Sequence, residues 1–140
     1  MKWQFNSFAQ TDLGLVRGGN EDSAIVCRNL IAVADGMGGH AGGEVASAIA
    51  INALEQLLPI ISDSKLELVS REDLFLNITY DIDRQILEKS KLQPDLSGMG
   101  TTLTALSILD KNIELLHIGD SRCYRYRDKK LEQLSYDHTV

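Results

Sequence analysis

Apolar positions recur along this chain with two different spacings. From Glu44, residues Val45, Ile49, Ala53, Leu57 and Ile61 return every fourth position, and Ala46, Ala50, Leu54 and Leu58 widen the same stripe. That spacing predicts a helix over Glu44 to Ile61 with a broad buried face. Pro59 is expected to bend or finish it, and Ser62, Asp63 and Ser64 to form the turn that follows. A second helical pattern starts at about Ser70, an N-cap with Asp73 three residues later. It runs through Phe75, Ile78, Ile82 and Ile86 to about Ser90, with Asp81, Arg84, Gln85, Glu88 and Lys89 on its polar side. The two helices are expected to lie side by side over a sheet.

The remaining apolar stretches are shorter. Between Ser23 and Ala34 two of them flank Arg28 and Asn29, the polar break of a hairpin turn. The second, Leu30 to Ala34, is almost continuously apolar, which predicts a strand buried on both faces that stops at Asp35 before the run GMGGHAGG. After a loop from Leu92 to Gly100 the period falls to two. Thr102, Thr104, Leu106 and Ile108 alternate with Leu103, Ala105, Ser107 and Leu109, and the mixed polarity leaves open which set faces inward. Asp110, Lys111 and Asn112 connect to a strand over Ile113 to Ile118. Cys123 to Arg127, a turn at Asp128 to Lys130, and Leu131 to Leu134 are expected to complete an antiparallel meander. Arg125 and Arg127 lie on its wet side, opposite Tyr124 and Tyr126. No repeat or Pro-rich or Ser-rich linker interrupts the 140 residues, so a single domain is expected.

Composition narrows the function classes. Hydrophobic residues make up 44%, enough for a real core, and 20 acidic against 14 basic side chains give a net charge of −6. A phosphate backbone demands clustered Lys and Arg, so no nucleic-acid partner is expected. The longest helical segment contains Glu44, Asn52, Glu55 and Gln56, and is read as falling short of a membrane span. The first residues, MKWQFNSFAQTD, lack the apolar run of a signal peptide, so a cytoplasmic location without a membrane partner is expected. Cys27 and Cys123 form no CxxC unit and are read as buried or half-buried free thiols.

Four polar clusters interrupt the apolar segments at strand ends: TDLGLVRGGNED (11–22), DGMGGHAGG (35–43), SGMGTT (97–102) and GDSR (119–122). Asp35 and Asp120 each end a strand, where a poorly solvated carboxylate needs a cation or several donors. Glu21 and Asp22 precede another. If these acids converge, all-oxygen ligation selects Mg²⁺ or Mn²⁺ over zinc. The alternatives are a turn-former at Asp35, an Asx-turn at Asp120 and solvated loop acids at Glu21 and Asp22. Arg17 could present a planar fork to a phosphoryl group, or form a plain salt bridge to Asp12 or Asp22. Residues 36–41 also fit a GxGxxA dinucleotide fingerprint, but Asp35 beside the first glycine would repel a pyrophosphate, and no acid ends a second parallel strand about twenty residues on. A terminal GK[ST] is absent.

Taken in order, TDLGLVRGGNED, VADGMGGHAGGEVAS, SGMGTT, HIGDSR and DHT resemble the metal-dependent serine/threonine protein phosphatases of the PP2C (PPM) family in their bacterial form. The resemblance implies an α+β fold, a four-layer α-β-β-α sandwich of antiparallel sheets, with residues 1–140 as the N-terminal portion of the catalytic domain. It implies that Arg17 binds the substrate phosphate, that Asp35 bridges two Mg²⁺ or Mn²⁺ ions, and that Gly36 lends one of them its carbonyl. Glu21 would act on the second ion through water with Asp22 in support, and Asp120 would hold a weaker third ion. Thr101 and Thr102 would be scaffold. The implied activity is hydrolysis of phosphoserine and phosphothreonine in proteins by a metal-activated water, without a phosphoenzyme. The implied partners are phosphorylated proteins, a cognate kinase and its substrates, and the full-length protein would be a monomer.

Two departures from the family pattern matter. Met37 stands where some members carry a His that protonates the leaving alcohol, and His40 follows three residues later, either to serve that end or to shape the loop. The family domain also continues beyond this length and supplies two further metal-binding aspartates, from a DG pair and a DN pair. Either the parent protein is longer, or the chain is weakly metallated and poorly active. A catalytically incomplete regulatory or binding module is therefore the alternative function. Surface that should meet the second half is expected to be exposed, which would favour aggregation or pairing with a complement.

Overall fold

The computed structural model describes residues 5–39, 41–63, 68–109 and 112–139. Its elements in chain order are β1 (Asp22–Val26), β2 (Leu30–Met37), α1 (Gly42–Ile61), α2 (Leu68–Leu92), a 3₁₀ turn (Pro94–Leu96), β3 (Gly100–Thr101), β4 (Leu103–Leu109), β5 (Asn112–Ile118), β6 (Tyr124–Arg127) and β7 (Lys130–Gln133). The main sheet is antiparallel in the order β1-β2-β4-β5, with β3 pairing the far end of β2. Strands β6 and β7 form a separate two-stranded sheet. The expected meander therefore breaks after β5. Residues 119–122 turn the chain out of the main sheet, and the hairpin closes on itself through a two-residue turn. Asp128 and Lys129 both take positive φ there, the backbone a type I′ turn requires.

Helices α1 and α2 cover one face of the main sheet. Leu30, Ala32 and Ala34 of β2 and Leu103 and Ala105 of β4 point into the layer formed by Ala46, Ala50, Leu54 and Ile61 of α1. Register places Ala32 opposite Ala105 and Leu30 opposite Ser107, which settles the face of β4: the odd-numbered residues look toward the helices. Small residues on both sides let α1 approach β2 closely. The fully buried Leu54 contributes about 1.5–3 kcal/mol of the burial free energy. Phe75, Ile78, Ile82 and Ile86 bind α2 to the same core.

Four expectations need correction. Strand β2 is not buried on both faces: its residues alternate, with Ala34 1% and Val33 47% exposed, because helices cover only one side of the sheet among the described residues. It also runs on through Asp35 and Gly36 to Met37, held there by β3. Helix α2 begins at Leu68, so Ser70 lies inside it rather than capping it. Helix α1, at 20 residues, is long and apolar enough by composition to cross a membrane. Here that apolarity is accounted for by packing on the sheet and on α2. Pro59 sits inside its last turn, two residues before the end. Asp110 and Lys111 of the expected turn, and Ser64 of the connection after α1, lie outside the described residues.

Sequence reasoning missed a buried cation. Arg71 in the first turns of α2 is 1% exposed. Its Nε donates to Glu114 Oε2 at 3.0 Å, one terminal nitrogen donates to the Ile61 carbonyl at 2.7 Å, and the other reaches the Ser107 hydroxyl. The guanidinium thus joins the C-terminus of α1, β4 and β5. Glu114 Oε1 is buried without a hydrogen-bond partner.

Candidate active site

The polar clusters assemble at the opposite end of the sheet. Strand pairing sets Asp22 on β1 directly across from Asp35 on β2. Just before β1, the Glu21 carbonyl accepts the Gly36 N–H at 3.2 Å. A methyl group at Gly36 would stand 2.0 Å from the Gly43 carbonyl oxygen, so β2 and the start of α1 touch backbone to backbone. The Glu21 carboxylate packs against Gly43, where a Cβ would meet its Oε2 at 2.7 Å. It therefore lies by the first turn of α1, whose N-terminus has no side-chain cap, an arrangement the helix dipole favours.

Asp35 is fixed by its backbone. Its carbonyl accepts the Thr102 N–H at 2.9 Å and the Thr101 hydroxyl at 3.1 Å, and its own N–H donates to Thr102 Oγ1 at 3.0 Å. Both threonines are thus engaged as scaffold. Met99 packs by Gly38 and Gly42, interlocking the two glycine motifs. Gly119 takes a positive φ of 102° and leads into Asp120. The DHT segment clasps this loop: the His138 N–H donates to the Gly119 carbonyl at 2.8 Å, and the Gly119 N–H donates to His138 Nδ1 at 3.3 Å. Arg122 grips the Asp137 carboxylate with its Nε and a terminal nitrogen. His117 donates through Nε2 to the Tyr136 carbonyl and pairs through Nδ1 with the Thr104 hydroxyl. This docking of residues 135–138 was not foreseen, although the charge pair Arg122 and Asp137 flanking a hairpin was a signal for it.

Arg17, Glu21, Asp22 and Asp35 line one polar cleft of about 380 Å³. A neighbouring cleft of about 290 Å³ reaches Asp22, Asp35 and Ser121. The loop before β1 is shaped by Asp12 accepting the Gly14 N–H at 2.7 Å and by Asn20, which donates to Thr11 and accepts the Asp22 N–H. The salt bridge from Arg17 to Asp12 or Asp22 is not formed, and Arg17 joins no ion pair among the described residues. Partial burial pushes the Asp35 carboxyl above its usual range, the Asp22 and Asp120 carboxylates push it further, and the Arg17 charge pulls it back.

The charges of Asp22, Asp120 and Arg17 are thus all felt at Asp35, while Glu21 turns toward α1. Among the described residues no three His, Cys, Asp or Glu side chains are grouped so as to hold a metal ion by themselves. The donors are oxygens, and their like charges raise the energy of ionised Asp35, which suits a hard cation that needs further oxygens to complete its shell. His40 lies outside the described residues. Both cysteines are free and half-buried, and burial pushes the Cys123 thiol up, away from a reactive thiolate.

Comparison with known proteins places this arrangement in context. The family description "Protein phosphatase 2C" matches residues 20–139. The serine/threonine protein phosphatase PstP of Mycobacterium tuberculosis is 44% identical over 131 residues, covering 94% of this chain and 24% of that protein. The serine/threonine phosphatase stp of Listeria welshimeri is 33% identical over 140 residues, covering 94% of this chain and 54% of that protein. A crystal structure of the catalytic domain of PstP in complex with two manganese ions superposes with a TM-score of 0.81 at 43% identity, covering 91% of this chain and 54% of that one. The Streptococcus agalactiae serine/threonine phosphatase gives 0.83 at 34% identity, over 94% and 55%. This chain thus spans about half the length of the stp protein and of these solved structures, and a quarter of PstP. Its two sheets with flanking helices match the sandwich fold of those structures. The chain belongs to the protein phosphatase 2C family.

Proposed function

We propose that this chain is the N-terminal portion of the catalytic domain of a metal-dependent protein phosphatase acting on phosphoserine and phosphothreonine. The observation that carries this reading is Asp22 paired directly across from Asp35 in one polar cleft with Glu21 and Arg17, with the charge of Asp120 felt at Asp35 from the neighbouring loop. Asp35, Asp22, Asp120 and the Gly36 carbonyl are the groups that would hold Mg²⁺ or Mn²⁺, with Glu21 acting through water and Asp120 serving a weaker third ion. When bound, a pair of such cations supplies Lewis-acid polarisation of the phosphoryl oxygens and acidifies water in the site.

The chain's own groups do the rest. Arg17, which joins no ion pair among the described residues, offers its fork to two phosphate oxygens and draws the phosphoryl group toward Asp35. Among the described residues, the Thr101 and Thr102 hydroxyls are committed to the Asp35 backbone, and burial pushes the Cys123 thiol up, away from a reactive thiolate, which supports attack by water over a covalent intermediate. The partners are then phosphorylated proteins, together with the kinase that produces them, and the location is cytoplasmic.

The decisive measurement is hydrolysis of a phosphothreonine peptide by the full-length protein with Mn²⁺, repeated with chelator. Turnover that disappears with chelator and returns on adding Mn²⁺ is expected, whereas turnover indifferent to chelator overturns the reading. A second reading, a regulatory module that no longer turns over, is favoured by the absence of a self-sufficient three-carboxylate cluster among the described residues. A full-length protein that binds no Mn²⁺ in a calorimetric titration would select it.

A further inference from the structure

Thr102 stands where the two acid-bearing segments meet. Its amide and hydroxyl bond the carbonyl and the N–H of Asp35, at 2.9 and 3.0 Å. The same hydroxyl lies 2.7 Å from Ser121 Oγ, directly after Asp120. On its apolar side Thr102 rests on Gly119, directly before Asp120, so closely that a Cβ there would meet the Thr102 Cγ2 at 2.7 Å. One side chain therefore fixes the backbone of Asp35 on both sides and touches the residues on both sides of Asp120. Thr101 also bonds the Asp35 carbonyl, but its hydroxyl turns back to the Thr102 carbonyl and has no tie to residues 119–121.

Such a tie has work to do. Asp35 and Asp120 are exposed like charges on separate segments, and their repulsion is felt at Asp35. The DHT segment holds the Asp120 loop from its far side, and the Thr102–Ser121 pair ties that loop to the Asp35 strand, so that the spacing of the two carboxylates depends on it. Ser121 lines the cleft shared with Asp22 and Asp35, so the link lies at the edge of the site itself. We propose that the Thr102–Ser121 hydroxyl pair is a positioning device that sets the spacing of Asp35 and Asp120, and thereby couples the cation-holding ends of the two segments. This rests on the reading of Asp35 as a cation-holding carboxylate.

The test is a calorimetric Mn²⁺ titration of the full chain and its variants, with thermal unfolding in chelator as a check on folding. Thr102→Val keeps the shape and removes the hydroxyl, and is expected to weaken Mn²⁺ binding by about tenfold, the size of effect typical of groups that orient ligands. Thr102→Ser should restore binding to within about twofold of the parent. Ser121→Ala should weaken binding in the same direction, and the Thr102→Val/Ser121→Ala double variant should be no worse than Thr102→Val alone, because Thr102→Val already removes the link that Ser121→Ala cuts, together with the bond from the Asp35 N–H. Unchanged binding in Thr102→Val, or effects that multiply in the double variant, overturns the coupling. If Thr102→Val fails to fold, Ser121→Ala decides, and unchanged binding there overturns it equally. Asp35→Asn separates the two levels: if it binds Mn²⁺ like the parent, the phosphatase reading itself falls. Lost binding in Asp35→Asn with intact binding in the hydroxyl variants removes only the coupling.

Discussion

The two ends of the main sheet treat charge in opposite ways. At one end, Arg71 is 1% exposed and satisfied by Glu114, Ser107 and the last carbonyl of α1. At the other, Asp22, Asp35 and Asp120 face water with their like charges unrelieved by any ion pair among the described residues. Helix α1 joins the two, its first turn against Gly36 and its last carbonyls at Arg71. The contrast separates two purposes. The closed end holds two helices and two strands in one arrangement, while the open end keeps acids close together where the chain alone gives them no counterion. A fold serving stability alone would have no reason for the second arrangement.

Substitutions at both ends test that contrast, beginning with the largest effect. Asp35→Asn should lower turnover of a phosphothreonine peptide by about a thousandfold or more, since it removes the central charge that would face the cations. Its unfolding midpoint in chelator should hold or rise, because the lost carboxylate is one its neighbours disfavour. A large fall in that midpoint would show that Asp35 is a structural residue. Next, Arg71→Ala should destabilise the protein by about 3–5 kcal/mol by leaving Glu114 buried without its partner. Arg71→Met together with Glu114→Gln should recover much of this, and denaturant titration of both variants reads the difference. An Arg71→Ala variant as stable as the parent would erase the distinction between the two ends.

The smallest effect lies at the clasp. Arg122 holds the Asp137 carboxyl below its ordinary value of 3.8. A carboxyl lowered by folding adds stability that is fully present above the unfolded value and is lost as pH falls through the folded one. Denaturant midpoints of the parent should therefore decline as pH falls below ~5, and Asp137→Asn should flatten part of that decline. The pair is exposed, so the difference should be modest. Identical pH profiles would mean that Arg122 does not tie down the DHT segment.

Much of this was legible from residue spacing. The four-residue period of α1 and the polar break at Arg28 and Asn29 gave elements whose bounds shift by only a few residues. The acids read at strand ends, Glu21, Asp22 and Asp35, come together in one cleft at one end of the sheet. The exposed face of β2 was misread because Val33 and Ala34 are both apolar, and composition does not say which side a helix will cover. Arg71 was missed for the reverse reason: its charge hid its position. It lies at helical spacing from Phe75, Ile78, Ile82 and Ile86, on the apolar stripe itself. That alignment was a readable sign of a buried partner. The clasp of residues 135–138 on residues 119–122 joins segments on either side of a hairpin, which local pattern does not connect.

The apolar face of α1 also bears on how the chain comes off the ribosome. Among the described elements the β1–β2 hairpin comes before this helix, whereas α2 and β4, which complete its cover, finish about fifty residues after it. At ordinary rates of synthesis that interval lasts several seconds, during which the nascent polypeptide presents a greasy twenty-residue rod to the cell. Early docking of α1 on the hairpin, or a chaperone holding it meanwhile, becomes a requirement of biogenesis imposed by the order in which these elements are translated.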